Sequence, residues 1–452
     1  MALILAVVGL LAIFAPNWQS TDTGGPAPTA SAEVRTGSDK RLCSIEHIRC
    51  GSVELGGGSI TEYAILAAAS GPGRGLVLVE LGGPGVDLFT RSGIDSLGLP
   101  AAIAGYDVLL LREPWTRRDR PQDCLGRLNQ FGAEVSAGRP AAVAVDEGRC
   151  KVPVWTSSSY QAAVKAITSA EGRPLVGVVG QSFGALPAVA AARTMPDAWL
   201  LLNAPIAPPG QTGRALLKQR ADVLTESLDR SYADECRALG LDCRLTGSQV
   251  VSNAAARVGG RMIGGRTRPM GAGDVDLAAI AAAYDLDANQ RWLWRTLTAL
   301  PALDDRDWAT IGRLADQLLQ RFDSQKISPK LGAYVAGMCA SYDHWAPDSG
   351  LPVFFRALAG QCQIAGRATD GWSAILPVTA PQRRAPTCVL VNDHDTVVAP
   401  GWAEQWGEML PRSTVRHYRY RGHVPLVQAV AMTRTACGIL DARQAGTPNK
   451  IK

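Results

Sequence analysis

Three side chains in this sequence have the types needed for acyl transfer to a serine: Ser182, Asp395 and His423. A serine hydroxyl is a poor nucleophile near neutral pH. It needs a histidine to take its proton and an acid to orient that histidine and stabilise its cation. Ser182 lies in Gly180-Gln181-Ser182-Phe183-Gly184. With Gly at about a tenth of the residues, chance alone supplies such a Gly-x-Ser-x-Gly roughly once in five sequences of this length, so its setting must discriminate. The order serine, acid, histidine is the one used where the serine sits on a sharp turn between a strand and a helix. Asp395 falls in Asn392-Asp393-His394-Asp395, with Asp393 as its competitor for the acid. His423 falls in Arg421-Gly422-His423-Val424, with His417 and His394 as weaker competitors for the base. Acyl transfer also needs N–H donors aimed at the oxyanion. The backbone N–H of Phe183 is one candidate, and Gly83 in Leu81-Gly82-Gly83-Pro84-Gly85 is the other. That Gly-rich run lacks the spacing of a phosphate-binding loop.

These residues need a scaffold that puts them at the ends of strands. Short apolar runs recur at Gly75–Leu81, Tyr106–Leu111, Pro174–Val179, Ala198–Leu202 and Thr387–Val391, with a further strand pattern over Thr414–Tyr420. Helical patterns at Ser158–Ala170 and Leu186–Arg193 lie between some of them. Strands alternating with helices predict an α/β domain with a mostly parallel central sheet covered on both faces. Period-2 alternation places His417 inside a strand, where a structural role fits better than a catalytic one. The segments His47–Leu55 and Ser59–Ala67, joined by Gly56-Gly57-Gly58, read as a hairpin. From 207 to 381 the alternation stops, and patterns such as Arg214–Leu228 and Trp292–Leu300 suit helices without convincing strands. The predicted organisation is a signal peptide or membrane anchor (1–19), a linker (20–40), a first part of the α/β domain (41–206), an inserted helical cap (207–381) and a second part (382–443).

The whole-chain properties narrow the setting. The chain has 452 residues, 46% of them hydrophobic and 19% charged, which is ample for a large core. Its 46 basic and 41 acidic residues are scattered, which argues against nucleic acid as a partner. Met1–Ala15 is uncharged and almost wholly apolar, and 20–40 is rich in Gly, Pro, Ser and Thr. Export, or membrane association through this N-terminal segment, follows from that pattern. No Cys follows the apolar run closely enough for lipid attachment. The ten Cys fall into couples, Cys43 with Cys50, Cys124 with Cys150, Cys236 with Cys243 and Cys339 with Cys362, leaving Cys388 with Cys437. In an exported protein such couples read as disulfides. No couple has Cys-x-x-Cys spacing, and the chain has only five His, so no metal and no cofactor is expected.

The segments Gly82-Gly83-Pro84-Gly85, Gly180-Gln181-Ser182-Phe183-Gly184 and Asp395-Thr396-Val397-Val398-Ala399-Pro400, with Gly422-His423 downstream, resemble the prolyl iminopeptidase and tripeptidyl aminopeptidase family of α/β hydrolases. Cys339, Asp343 and Cys362 resemble its secreted tripeptidyl branch. The resemblance implies an α/β-hydrolase fold with a helical cap, and cleavage of a peptide near its free N-terminus. Such a substrate carries an ammonium that needs a carboxylate in the cap, for which Asp343 is the candidate. Two segments depart from the family: Glu80-Leu81 replaces the residues usual before the double Gly, and Arg112-Glu113-Pro114-Trp115 stands where Asp-x-Arg-Gly is usual. The reading from sequence is a secreted serine exopeptidase. An esterase or lipase on the same fold, and a catalytically silent binding protein, are the alternatives.

Overall fold

Successive side chains of a strand point to opposite faces, so a run that is apolar at every position requires cover on both sides. The computed structural model of this chain describes residues 32–33, 43, 45, 47–55, 59–68, 73–84, 89, 94, 97, 103, 105–113, 122–139, 155–240, 243–260, 262, 269–284, 288–298, 304–319, 321–323, 326–327, 329–365, 372, 384–433 and 436–439. The segment 1–19 and Cys150 lie outside the described residues, as does the side chain of Cys124, so the Cys124–Cys150 couple falls outside what the structure describes.

The strands of the main sheet are β1 (Ala32–Glu33), β2 (Ile48–Leu55), β3 (Ser59–Leu66), β4 (Leu76–Glu80), β5 (Asp107–Leu111), β6 (Leu175–Gln181), β7 (Trp199–Asn203), β10 (Thr387–Asn392) and β11 (Ser413–Tyr418). Leu76 and Leu78 of β4 enter one apolar cluster, while Val77 and Val79 enter the other. Leu200 and Leu201 of β7 divide in the same way. The expected two-sided cover is therefore present, residue by residue. The sheet order is β1-β2-β3-β5-β4-β6-β7-β10-β11. Every pair from β5 to β11 is parallel, and β1, β2 and β3 form an antiparallel edge. Residues 32 and 33 of the expected linker thus join the sheet as its outermost strand.

The chain winds outward from β4 to β5 and then returns to place β6 on the other side of β4. At such a reversal the two following loops diverge and leave a crevice beyond the carboxyl ends of the strands. Gly82 and Gly83 follow β4 and Ser182 follows β6, so both candidate segments open onto that crevice. This strand order, with a strand-turn-helix element at the end of β6, is the α/β-hydrolase fold.

Helices α1 (Gln122–Ser136), α2 (Ser157–Ala170) and α3 (Ala185–Thr194) lie before and after β6. Residues 185 to 192 of α3 are all buried, and most are Ala, small enough for the helix to lie close under the sheet. The cap consists of α4 (Gly213–Ala238), α5 (Gly247–Arg257), α6 (Ala272–Tyr284), α7 (Ala288–Thr298), α8 (Asp305–Leu318), α9 (Pro329–Ser341) and α10 (Val353–Ala365). The expectation of a strandless insertion is corrected in one place. Two short antiparallel strands, β8 (Arg321–Asp323) and β9 (Lys326–Ile327), form a separate ribbon within it. Helix α4 also runs ten residues beyond the expected Leu228 before it ends at Ala238. After β10 the chain forms α11 (Pro400–Met409), β11 and α12 (Leu426–Met432).

Four disulfides join described residues: Cys43–Cys50, Cys236–Cys243, Cys339–Cys362 and Cys388–Cys437. No helix of the described residues is long and apolar enough to cross a membrane. The Cys388–Cys437 bridge spans 49 residues and ties buried Cys388 of β10 to the segment after α12, enclosing both the acid and the histidine loops. Closing a long loop restricts the unfolded chain most. Replacing both residues with Ala should cost about 2–4 kcal/mol of stability, read as a lowered thermal midpoint beside the wild-type protein under non-reducing conditions.

Candidate active site

The strand β6 ends at Gln181, and the next residue, Ser182, has a φ of 53°. A non-glycine residue rarely adopts this left-handed conformation, and here the surrounding backbone imposes it. The turn Ser182–Gly184 then runs directly into α3. Two glycines permit the crossing. A Cβ on Gly184 would stand 2.3 Å from the carbonyl oxygen of Glu80, and one on Gly82, whose φ is 86°, would stand 2.5 Å from the carbonyl oxygen of Gln181 and 2.8 Å from the nitrogen of Phe183. The loop after β4 therefore lies against the serine turn with no room for side chains between them. Phe183 and Gly83, the two candidate oxyanion donors, belong to these adjoining segments.

The candidate acid and base follow the parallel strands β10 and β11. His423 Nδ1 lies 3.0 Å from Asp395 Oδ2 and 3.3 Å from Oδ1. The carboxylate is 1% exposed and the imidazole 10%. Asp395 Oδ1 also accepts from the backbone N–H groups of Val397, at 2.8 Å, and Val398, at 2.9 Å. With Nδ1 directed at the acid, Nε2 is the nitrogen left to receive a proton. Among the described residues the Ser182 hydroxyl makes no hydrogen bond, to His423 or to another group. Such contacts are often long before substrate binds. The competitors occupy a different place: His417 Nδ1 lies 2.7 Å from Asp393 Oδ1, in a partly exposed pair that Arg419 flanks at 3.6 Å.

Three amide side chains hold the histidine loop, and the sequence reading did not single them out. Asn392 is 1% exposed; its Nδ2 donates to the Gly422 carbonyl at 2.7 Å, and its Oδ1 accepts from the N–H groups of His394 and Tyr420. Asn203, at the end of β7, donates to the Val424 carbonyl at 3.1 Å and accepts from the Tyr418 hydroxyl. Gln181 accepts from the Leu426 N–H at 3.2 Å and reaches the Val424 carbonyl at 3.4 Å. Each sits where an apolar strand ends in a single amide, which is the signal that could have marked them.

The cap closes over this arrangement. Thr396, next to the acid, donates from its hydroxyl to the Ala283 carbonyl of α6. The following residue, Tyr284, packs its ring edge-to-face on His423, with centroids 6.1 Å apart. A cavity of about 260 Å³ lies between cap and sheet, lined by Gly83, Arg220, Tyr284, Leu331, Tyr334 and Phe354 among others. Asp343 is not among its lining residues. Its carbonyl accepts from the Gly213 N–H at 2.6 Å and its side chain lies 3.9 Å from His344, at the foot of α4. The two departures from the resembled family have structural partners. Arg112 pairs with Glu62 at 2.8 Å and lies over the Phe89 ring. Glu80 is 4% exposed and accepts from the Tyr160 hydroxyl. Burial pushes its carboxyl up to about 8, against the opposing effect of the Tyr160 hydrogen bond. No group of His, Cys, Asp and Glu that could hold a metal occurs among the described residues.

No protein-family model matches the sequence, and no curated protein matches it. Solved structures do. An enol-lactonase from Burkholderia xenovorans is 13% identical with a TM-score of 0.39, over 85% of this chain and 97% of that one. A proline iminopeptidase from Mycobacterium smegmatis is 14% identical with a TM-score of 0.39, over 86% and 97%. An esterase from a Rhodococcus species is 15% identical with a TM-score of 0.39, over 87% and 99%.

Two outcomes follow from this geometry. In Asn392→Ala, two loop N–H groups and one carbonyl lose their partner, which costs about 1–3 kcal/mol where such groups stay buried. Catalysis of any acyl substrate should then fall about 10–100-fold in kcat, with little change in KM, because the histidine shifts while the cavity does not. Glu80 has a folded-state pKa above its ordinary 4.5, so its contribution to stability is fully present below about pH 4.5 and is lost as pH rises through about 8. The thermal midpoint of Glu80→Gln should therefore gain on that of the wild type as pH is raised from 6 to 9. An unchanged difference across that range would contradict a buried, protonated Glu80.

Proposed function

We propose that this chain is a serine hydrolase that cleaves a carboxylic ester or amide through an acyl-enzyme on Ser182. One observation carries the reading. A serine on a left-handed turn beside a close-packed Gly loop, and an Asp395–His423 pair at 3.0 Å, all follow the carboxyl ends of parallel strands of one sheet.

In the reaction, Ser182 Oγ attacks the substrate carbonyl carbon as its proton passes to His423 Nε2. Asp395 holds the imidazole in the orientation this requires and stabilises its cation. The carbonyl oxygen becomes an oxyanion facing the N–H groups of Phe183 and Gly83, the former at the start of a helical turn where free N–H groups favour negative charge. When the intermediate collapses, the bond to the leaving group breaks and that group takes the proton from His423. A water molecule, losing its proton to the same nitrogen, then attacks the acyl carbon; the bond to Oγ breaks, Oγ takes the proton back from His423, and the acid leaves.

The exopeptidase reading drawn from the family resemblance needs a carboxylate to receive the substrate ammonium. The described walls of the cavity hold a guanidinium, Arg220, and no acid. Burying an ammonium beside it is disfavoured, so this observation favours the ester hydrolase alternative, or an amide recognised away from a free amine. The four disulfides suit an oxidising compartment, in keeping with export.

A fluorophosphonate probe should label the wild-type protein, and Ser182→Ala should abolish both labelling and turnover. Asp395→Asn should lower kcat about 10⁴-fold. A panel of neutral esters, aminoacyl amides and tripeptidyl amides assigns the bond; turnover confined to substrates with a free amino terminus would reverse the preference stated here. Folded wild-type protein that resists the probe would return the chain to the class of silent binding proteins.

A further inference from the structure

Arg220 projects from α4 and is 6% exposed. A guanidinium is always charged and carries five N–H donors in a rigid fork. Two of these are used: Nη1 donates to the Tyr334 hydroxyl at 2.8 Å and Nη2 to the Tyr284 hydroxyl at 2.9 Å. The group also lies over the Phe355 ring, 5.1 Å from its centroid. No carboxylate of the described residues lies within ion-pair distance of it, although the other deeply buried arginine, Arg112, pairs with Glu62.

The chemistry of this cluster is one-sided. Tyr284 and Tyr334 spend their oxygens as acceptors from Arg220, so each phenolic O–H remains a donor, and neither hydroxyl makes another hydrogen bond among the described residues. Three guanidinium N–H groups also remain. The result is five donor hydrogens, a full positive charge and no acceptor, set in the wall of an apolar cavity. Ring contact contributes attraction to the cation but accepts none of the remaining N–H groups. Burying a charge without a counter-ion is costly, and a planar fork of donors matches the paired oxygens of a carboxylate. The same cavity is lined by Gly83, and Tyr284 packs on His423, so a group held by Arg220 belongs to a molecule whose other end is at the reacting centre.

We propose that Arg220, with the hydroxyls of Tyr284 and Tyr334, binds a free carboxylate of the substrate, making this an enzyme for acidic esters or amides. The inference rests on the serine-hydrolase reading above and names its substrate class. A carboxylate can enter from the acyl side, as in a dicarboxylic acid hemiester, or from the leaving side, as in the C-terminus of a peptide. The cavity takes either in the same way, through charge-assisted hydrogen bonds.

The test compares kcat/KM for 4-nitrophenyl hydrogen glutarate with that for neutral 4-nitrophenyl butyrate, and for an N-blocked dipeptide with a free or an amidated C-terminus. At least a tenfold preference for the anionic member of either pair is expected, and the pair that shows it identifies the side carrying the carboxylate. Arg220→Met should erase the preference, mainly through KM. Arg220→Lys should retain part of it, and Tyr334→Phe, which keeps the cation and removes one donor, should reduce it several-fold. The substitution of Tyr334 also guards against loss of folding in the arginine variants. Fluorophosphonate labelling with equal or faster turnover of the neutral members would overturn this proposal while leaving the hydrolase reading intact. Absence of labelling would instead remove that reading. Calorimetric titration of monomethyl glutarate into Ser182→Ala then decides the arginine site alone: binding weakened at least tenfold by adding Arg220→Met supports it, and no binding refutes it.

Discussion

Ser182 is held at a backbone conformation that residues with a Cβ avoid, at a point where two chain segments are nearly in backbone contact. The strand β6 must end, a helix must begin at once, and the loop after β4 must lie against the junction. That is sterically feasible only with no side chain at 82 and 184, where an added Cβ would collide with carbonyl oxygens or amide nitrogens. The strain is over-determined from both sides, by the parallel pairing of β6 between β4 and β7 and by the buried Ala-rich helix that follows. Ser182 thereby stands at the end of its strand, in a turn that adjoins the segment holding Gly83. The conformation that is costly for the backbone is the one acyl transfer needs.

The rest of the site is brought to this turn by polar groups inside an otherwise apolar molecule. Gln181, Asn203 and Asn392 stand at the carboxyl ends of β6, β7 and β10, side by side in the sheet, and all three engage the histidine loop or its flanks. Buried amides are worth keeping only when satisfied. Here their partners are backbone groups of an irregular segment that has no sheet or helix to satisfy it, so one set of bonds both avoids a desolvation cost and fixes the position of His423. Asp395 behaves likewise, accepting two backbone N–H groups of its own loop before it meets the imidazole.

The cap is coupled to the same residues. Thr396 adjoins Asp395 and reaches α6, whose last residue, Tyr284, touches His423 on one side and Arg220 on the other. The base is thus connected through a single aromatic ring to the charged wall of the cavity. The proposed substrate contact and the proposed base share Tyr284, which links the two proposals through geometry instead of through proximity in sequence.

Much of the sheet was legible from local pattern. Apolar runs ending in Gly, Asn or Asp identify buried parallel strands, because only two-sided burial makes every position apolar, and these runs lie within two or three residues of the strand ends observed. The three candidate residues could be nominated because their order and their places after strands follow from how such a fold presents loops at one edge. The separation of Asp395 and His423 from Asp393 and His417 was only partly legible: a short offset along each loop puts one pair in a buried loop and the other on an exposed edge, which depends on how β10 and β11 lie together. The short ribbon in the cap and the first sheet strand left weak signals, since two or three residues are too few for a period. Asp343 was nominated through the family resemblance, as the carboxylate a substrate ammonium would need, but the path of the chain carries it to the foot of α4, and it does not line the cavity. Arg220 is one cation in an amphipathic helix until α6, α9 and α10 fold around it. Chain pattern determines which segments become strands and helices, because burial and backbone sterics act locally. Which charge ends up without a counter-ion in the cavity was decided by tertiary packing alone, because desolvation depends on every element that surrounds the group.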